Sequence, residues 1–439
     1  MNEITIVIII IILFKFINFY ILRNLIFLLR LNFLTNINWL KWINIVGGLG
    51  NNYYSNYLIL IIFWVFGVIF LNLKKYKKDC LFLNLILMFF IIINFICMDL
   101  LTFYFIYESR LLLIFYIIME WGYSEDRVLS AFYLIFYTLI FSLPILYLIF
   151  KLINFSYRIN FFILEILIIK FDKFGFLYLL ISFLVKIPIY LFHGWLIKAH
   201  VEASFFRSII LASVILKLGR YGILRFLIVF KIIFKLIKYY LFIINLIGIV
   251  ILRLICLFQF DIKLIIALSS VVHMGIISLG LLVSKKVGIL GRLIIIISHG
   301  LVSSGLFYLV NIIYKQTRTR IIFINKGLIN LIPSITIIWF LICIYNSGAP
   351  LSLNIVSEIF LLIRLISWCK YLFIILMSYC LVRFIYSIYL FRFIQYGKIF
   401  YLKINLLNRN LINYLSLVLH LLPLNSFIFK LFFYLNSLK

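Results

Sequence analysis

Six ionisable side chains lie inside stretches of this sequence too apolar to hold them without a reason. Glu108 closes Tyr104-Phe105-Ile106-Tyr107-Glu108, and Lys186 stands just before Pro188. Lys217 lies in Ile215-Leu216-Lys217-Leu218-Gly219, and His273 in Ser269-Ser270-Val271-Val272-His273-Met274-Gly275. His299 opens Ser298-His299-Gly300-Leu301, and Glu358 follows Ser357. A charged group at the centre of a membrane helix costs about 2.5–3.5 kcal/mol on insertion scales. Carboxylate, amine and imidazole together are the components of a proton relay. Desolvation makes a buried amine readier to release its proton, and a nearby carboxylate holds it charged. Imidazoles pass protons at physiological pH. Moving one charge against 100 mV costs about 2.3 kcal/mol, so a modest change of ion pairing can drive a step. Taken singly, any of the six also reads as half of a buried pair that fixes helix packing.

Several other charges read differently. Arg110, two positions after Glu108, falls on nearly the opposite helix face at 3.6 residues per turn. Arg207, Arg253 and Arg364 are expected to snorkel or pair locally, Asp99 and Glu120 to lie near helix ends, and His420 to be interfacial.

The elements that carry these residues are membrane helices. Hydrophobic residues make up 67% of the 439 residues and charged residues 12%, against roughly 25% charged in a soluble domain. In lipid, backbone polar groups must be bonded within the protein, so apolar runs of about 20 residues become spanning helices. Alternating segments of the β-barrel type do not occur. About fourteen spans are expected, near 4–22, 24–34, 57–73, 81–97, 100–119, 130–152, 175–197, 207–230, 239–257, 262–284, 288–314, 328–366, 371–394 and 411–433. The first is expected to be a retained helix, because the apolar run begins at Ile4 after Glu3 with no basic segment ahead of it.

Two spans look interrupted. One holds Val185-Lys186-Ile187-Pro188 and His193-Gly194, the other Asn346-Ser347-Gly348-Ala349-Pro350. Proline removes a helix hydrogen bond and clashes with the preceding turn. The breaks fall five helices apart, as two five-helix repeats carrying an ion pathway would require. Two ordinary proline kinks fit the same residues.

The net charge of +29 would suggest nucleic acid in a soluble protein. Here the basic residues cluster in short loops, as in Lys74, Lys75, Lys77 and Lys78 or Lys315, Arg318 and Arg320, where they face lipid headgroups. The side holding Lys74–Lys78 and Lys315–Lys326 is expected to be the matrix side by the positive-inside rule. Abundant Ile, Phe, Asn, Tyr and Lys point to an AT-rich organelle genome. Six scattered cysteines lack metal spacing. Gly47-Gly48-Leu49-Gly50 follows no expected strand and lacks the Lys-Ser/Thr of a phosphate loop. His193 and His200 flank one break, which disfavours axial haem ligation.

The run Val185-Lys186-Ile187-Pro188, His193-Gly194-Trp195-Leu196, Lys198-Ala199-His200-Val201-Glu202-Ala203, Leu216-Lys217-Leu218-Gly219 and Tyr221-Gly222 closely resembles the subunit-4 branch of the antiporter-like subunits of respiratory NADH dehydrogenase, a family related to Mrp-type cation/proton antiporters. Further matches are Glu108, Trp121-Gly122, Arg127, Phe136-Tyr137-Thr138-Leu139, Ser142-Leu143-Pro144, Ser269-Ser270-Val271, His273-Met274, His299-Gly300-Leu301, Ser303-Ser304-Gly305-Leu306-Phe307, Asn354 and Ser357-Glu358. The resemblance covers residues 80–400.

It implies an all-α polytopic fold of two inverted five-helix repeats, each with a broken helix. The implied organisation is N-terminal helices 1–80, a first repeat 81–230, a second repeat 236–395 and a C-terminal helix 396–439. Glu108 resembles the acid that pairs with the pumping lysine, Lys186. Lys217 matches the connecting lysine, His273 and His299 the central histidines, and Glu358 the acid on the second broken helix. The resemblance implies proton translocation driven by quinone reduction elsewhere, in the mitochondrial inner membrane. It places NAD, FMN, iron–sulfur clusters and ubiquinone in partner subunits, antiporter-like subunits 2 and 5 alongside, and cardiolipin around the chain. A free-standing antiporter subunit would share the same relay residues. The chain departs from the family at Ile197, Ser204 and Leu351, where proline is usual. Arg110, Arg207 and Arg220 replace small or neutral residues.

Overall fold

The computed structural model describes residues 7–8, 10–12, 24–27, 43–46, 48–72, 78–122, 125–155, 160–161, 173–229, 234–283, 286–350, 352–398 and 411–429. Most of the first two expected spans, Lys74, Lys75 and Lys77, and Leu351 fall outside these residues.

The chain divides into two compact units. The first comprises Met1–Ile187, Glu202–Ser204 and Val214–Ile237, and the second comprises Pro188–Val201, Phe205–Ser213 and Lys238–Lys439. Eight helices among the described residues are long and apolar enough to cross a membrane. They match expected spans within a few residues. The spans expected near 175–197, 207–230 and 328–366 are instead built from shorter pieces.

In the first unit, a short hairpin of β1 (Ile43–Val46) and β2 (Leu49–Asn51) precedes α1 (Tyr53–Asn72), α2 (Lys78–Ile96), α3 (Leu100–Trp121), α4 (Arg127–Phe155) and α5 (Lys173–Lys186). The hairpin is a correction, because Gly48 follows a strand after all. It turns at φ +91° beside Asp99, serving as a tight turn rather than a phosphate cradle. Asp99 precedes α3 in an extended conformation and bridges Asn160. Helix α8 (Leu216–Val229) packs on α5 through two glycines one turn apart. A Cβ on Gly219 would lie 3.4 Å from the Lys186 carbonyl carbon, and one on Gly222 would lie 2.3 Å from the Phe183 ring. Small residues let membrane helices approach closely without a hydrophobic driving force.

The second unit holds α6 from Gly194, α7 (Phe205–Ile210), most of α9 (Phe234–Leu257), α10 (Ile262–Leu282), α11 (Lys286–Thr317), the turn α12 (Leu328–Leu331), α13 (Pro333–Ser347), α14 (Leu353–Trp368), α15 (Leu372–Gln395) and α16 (Leu411–Phe429). α11 is its centre and packs on α7, α10, α13, α14 and α16. Asp261 precedes α10 in an extended conformation and bridges Ile321.

Both expected breaks are real interruptions. α5 stops at Lys186, two residues before Pro188. The chain passes through a 3-10 turn at Tyr190–Phe192, and α6 (Gly194–Glu202) begins beyond it. α13 opens with Pro333 at its first turn and closes on Gly348 at φ +74°, where glycine pays no steric penalty. α14 restarts behind Ser352, whose hydroxyl accepts from the Ile355 amide, satisfying one of the helix's orphan donors. Pro144 and Pro423, by contrast, lie inside helices that continue past them.

Candidate functional site

The structure pairs Glu108 and Lys186 directly. Lys186 Nζ donates to Glu108 Oε1 at 2.6 Å, joining the middle of α3 to the broken end of α5. Lys186 is buried and Glu108 is 13% exposed. The Tyr107 ring completes the setting, with Lys186 Nζ 3.6 Å from its centroid. A cation over an aromatic face gains electrostatic stabilisation that grows with desolvation. Arg110 departs from its expectation. It is buried, its Nε donates to the Tyr107 carbonyl at 3.0 Å, and its guanidinium lies 4.3 Å from the same ring. A long side chain on a helix folds back over the preceding turn, so spacing alone does not fix where its head ends.

Lys217 is buried at the start of α8. Directly before it the helix widens into a π-helical turn, Leu211–Ile215. Such turns shift the register of the residues beyond them and are frequent at functional sites. Arg220, one turn beyond Lys217, is also fully buried.

In the second unit the structure gathers His273 of α10, His299 of α11 and Glu358 of α14. The two imidazoles lie 4.9 Å apart between centroids, and His273 Nδ1 is 3.6 Å from Glu358 Oε1. All three are buried. The sequence reading missed their neighbour Arg383 of α15, which donates through Nη1 to Glu358 Oε2. Its Nε donates to the Asn346 carbonyl at 2.7 Å, and Nη2 reaches the same oxygen. Asn354 Nδ2 donates to the Tyr345 carbonyl at 2.7 Å. The carbonyls freed where α13 ends are thus met by one amide and one cation, the charge that a helix C-terminus favours.

Two further expectations are corrected. His420 is buried rather than interfacial, with Nδ1 3.1 Å from Ser304 Oγ. Arg253 does not snorkel; its guanidinium is buried 3.0 Å from the Tyr379 ring centroid. Arg207 is buried, and Arg364 pairs locally with Ser367 as expected. Glu120 is exposed at the end of α3. His200 is buried and stacked on Phe307. No group of three His, Cys, Asp or Glu among the described residues has metal-site geometry.

Residues 97–384 match the family described as NADH:quinone oxidoreductase/Mrp antiporter, transmembrane. A NADH-ubiquinone oxidoreductase chain 4 of Apis mellifera ligustica is 52% identical over 94% of this chain and 92% of its own length. The chain of that name from Ceratitis capitata is 38% identical over 94% of each. A chain of respiratory complex I from Thermus thermophilus, solved with bound NADH, superposes with a TM-score of 0.87 at 18% identity. The match covers 99% of this chain and 96% of that one. With two thirds of its length inside the family match and relatives aligned nearly end to end, the chain belongs to the NADH:quinone oxidoreductase/Mrp antiporter transmembrane family.

Proposed function

We propose that this chain is the proton-translocating subunit 4 of NADH:ubiquinone oxidoreductase, a multi-pass protein of the mitochondrial inner membrane. Quinone reduction elsewhere in the complex drives it. It carries proton movement and no redox step. NAD, FMN, iron–sulfur clusters and ubiquinone belong to partner subunits. Antiporter-like subunits 2 and 5 are its neighbours, and anionic lipid such as cardiolipin surrounds its basic loops.

The observation that carries this reading is the buried ion pair of Lys186 with Glu108 at the broken end of a membrane helix. An amine whose charge depends on one carboxylate releases its proton when that carboxylate is neutralised or withdrawn. Lys217, His273 and His299 take the connecting steps, and Glu358 takes the last acid position. The set of Glu108, Lys186, Lys217, His273, His299 and Glu358 is therefore assigned as the relay.

The domain assignment, with a first repeat at 81–230 and a second at 236–395, draws support from a recurrence in the chain. Pro188 follows Asp99 by 89 residues and Pro350 follows Asp261 by the same 89. Each aspartate sits extended at an isolated bridge before a long helix, and each proline marks a break.

The family description also covers Mrp antiporters, so a free-standing cation/proton antiporter subunit is the second reading. Native-gel separation of gently solubilised inner membranes, with NADH-dehydrogenase staining and peptide identification, separates the two. This chain is expected in the active band. Migration alone, or with antiporter-like chains only, would reject the complex-subunit reading.

A further inference from the structure

The same recurrence puts Gly348 at the second-repeat position equivalent to Lys186, since both stand two residues before the break proline. The pumping cation of the first repeat therefore has no side-chain counterpart at its own place in the second. The space is nevertheless filled by a cation. A Cβ built on Gly348 would lie 3.1 Å from Arg383 Nη1 and 3.2 Å from both Arg383 Nη2 and Glu358 Oε2. We infer that Arg383 is the positioning cation of the second repeat, reaching in from α15 to replace the missing lysine and hold Glu358 as the group that takes and gives the proton.

The geometry divides the labour between the two carboxylate oxygens. Oε2 receives the Arg383 N–H, while Oε1 faces His273 Nδ1 at 3.6 Å. Arg383 is in turn anchored on the Asn346 carbonyl and lies against glycine, so its fork has little freedom to move away. The two repeats therefore differ in chemistry. A lysine can give up its proton, but an arginine in a protein does not. In the first pair the cation can change charge. In the second the arginine stays charged, so Glu358 and His273 must be the groups that change. The titratable and charged groups around this site are His273 on α10, 3.6 Å from Glu358, His299 on α11, 4.9 Å from His273 between ring centroids, Tyr386 beside Arg383 on α15, and Arg253 on α9, whose guanidinium lies over the Tyr379 ring and whose charge reaches Arg383 and Tyr386. Glu358 is the one acid in that set.

The inference rests on the proton-translocation reading, and its test keeps the two apart. The assembled complex is placed in sealed vesicles, and NADH-driven proton uptake is measured against pH. Lys186→Met and Glu358→Gln serve as reference variants; if neither lowers uptake, the functional reading fails before Arg383 is at issue. With that control satisfied, Arg383→Met is expected to move the acid limb of the profile up by about one to three pH units, because an adjacent arginine favours the ionised carboxylate by that much. Arg383→Gln, which keeps an N–H for the Asn346 carbonyl but no charge, is expected to do the same. Arg383→Lys, the variant expected to assemble most readily, should keep the native acid limb but lose uptake on the alkaline side, where a lysine can deprotonate. A uniform fall with both limbs in place, or an Arg383→Lys profile with no new alkaline loss, would mean that Arg383 only braces the break.

Discussion

Among the described residues, buried lysines and arginines outnumber buried acids in both units, so an acid among them is the scarce partner. Lys186, Lys217, Arg110, Arg220 and Arg225 are buried in the first unit, where Glu108 is paired with Lys186. Lys263, Arg207, Arg253, Arg292 and Arg383 are buried in the second, with Glu358. Losing one member of a buried pair strands the other and costs about 3–5 kcal/mol, whereas replacing both by apolar side chains is often neutral. Glu108→Gln should therefore lower the thermal stability of the assembled complex, and adding Lys186→Met should recover most of the loss. Neither variant should pump. A double variant as unstable as Glu108→Gln would show that the pair is not what holds α3 to α5. The six proposed relay positions drew notice in the sequence because a charge inside an apolar run stands out by itself. Arg383 did not. Its partner lies 25 residues away in the chain, and nothing near it separates an arginine that meets a carboxylate from one that reaches headgroups. Arg110, Arg253 and His420 were misjudged for the same reason: spacing gives a direction around a helix, not what the neighbouring helix presents there.

At the scale of elements, the two breaks differ in what they require of their glycines. Gly348 sits at φ +74° with Arg383 and Glu358 within 3.2 Å of any added Cβ. Gly194, at the start of α6, has open space around it and no positive φ. Gly348→Ala is expected to cost about 1–2 kcal/mol from the left-handed backbone alone and to impair pumping by displacing the Arg383 fork. Gly194→Ala should be neutral or stabilise by up to about 1 kcal/mol. Thermal unfolding of the two variants side by side checks this, and equal losses would mean that the backbone at Gly348 is not constrained as described. Both breaks could be read from sequence because proline and glycine act locally. The π-helical turn before Lys217 could not, since Leu211-Ala212-Ser213-Val214-Ile215 carries no such signal. The hairpin at 43–51 was hidden in the same way, being too short for alternation to register.

The whole molecule divides its helices by what covers them. α11 has its entire apolar window buried, and α1 and α10 nearly so, while α4 and α15 bury only a third of theirs and α9 little more. The uncovered residues are ordered. On α4 they run through Leu129, Phe132, Phe136, Ile140, Leu143 and Tyr147, and on α15 through Phe373, Met377, Leu381, Phe384 and Ile388. Steps of three and four make each set one stripe along a helix. Such stripes must meet either lipid tails or another apolar helix, and the two readings of this chain differ on which. A subunit with neighbours on two sides is expected to hide part of α4, α9 or α15, whereas a free-standing antiporter subunit would leave all three to lipid. A photoactivated apolar carbene dissolved in the native membrane should therefore label at least one of these stripes weakly while labelling another strongly, and should leave α11 unlabelled throughout. Dissociating the complex in a harsher detergent, with the probe carried into the micelle, should bring the weak stripe up to the level of the strong one. Equal labelling of all three before and after dissociation would mean that no neighbouring subunit covers α4, α9 or α15.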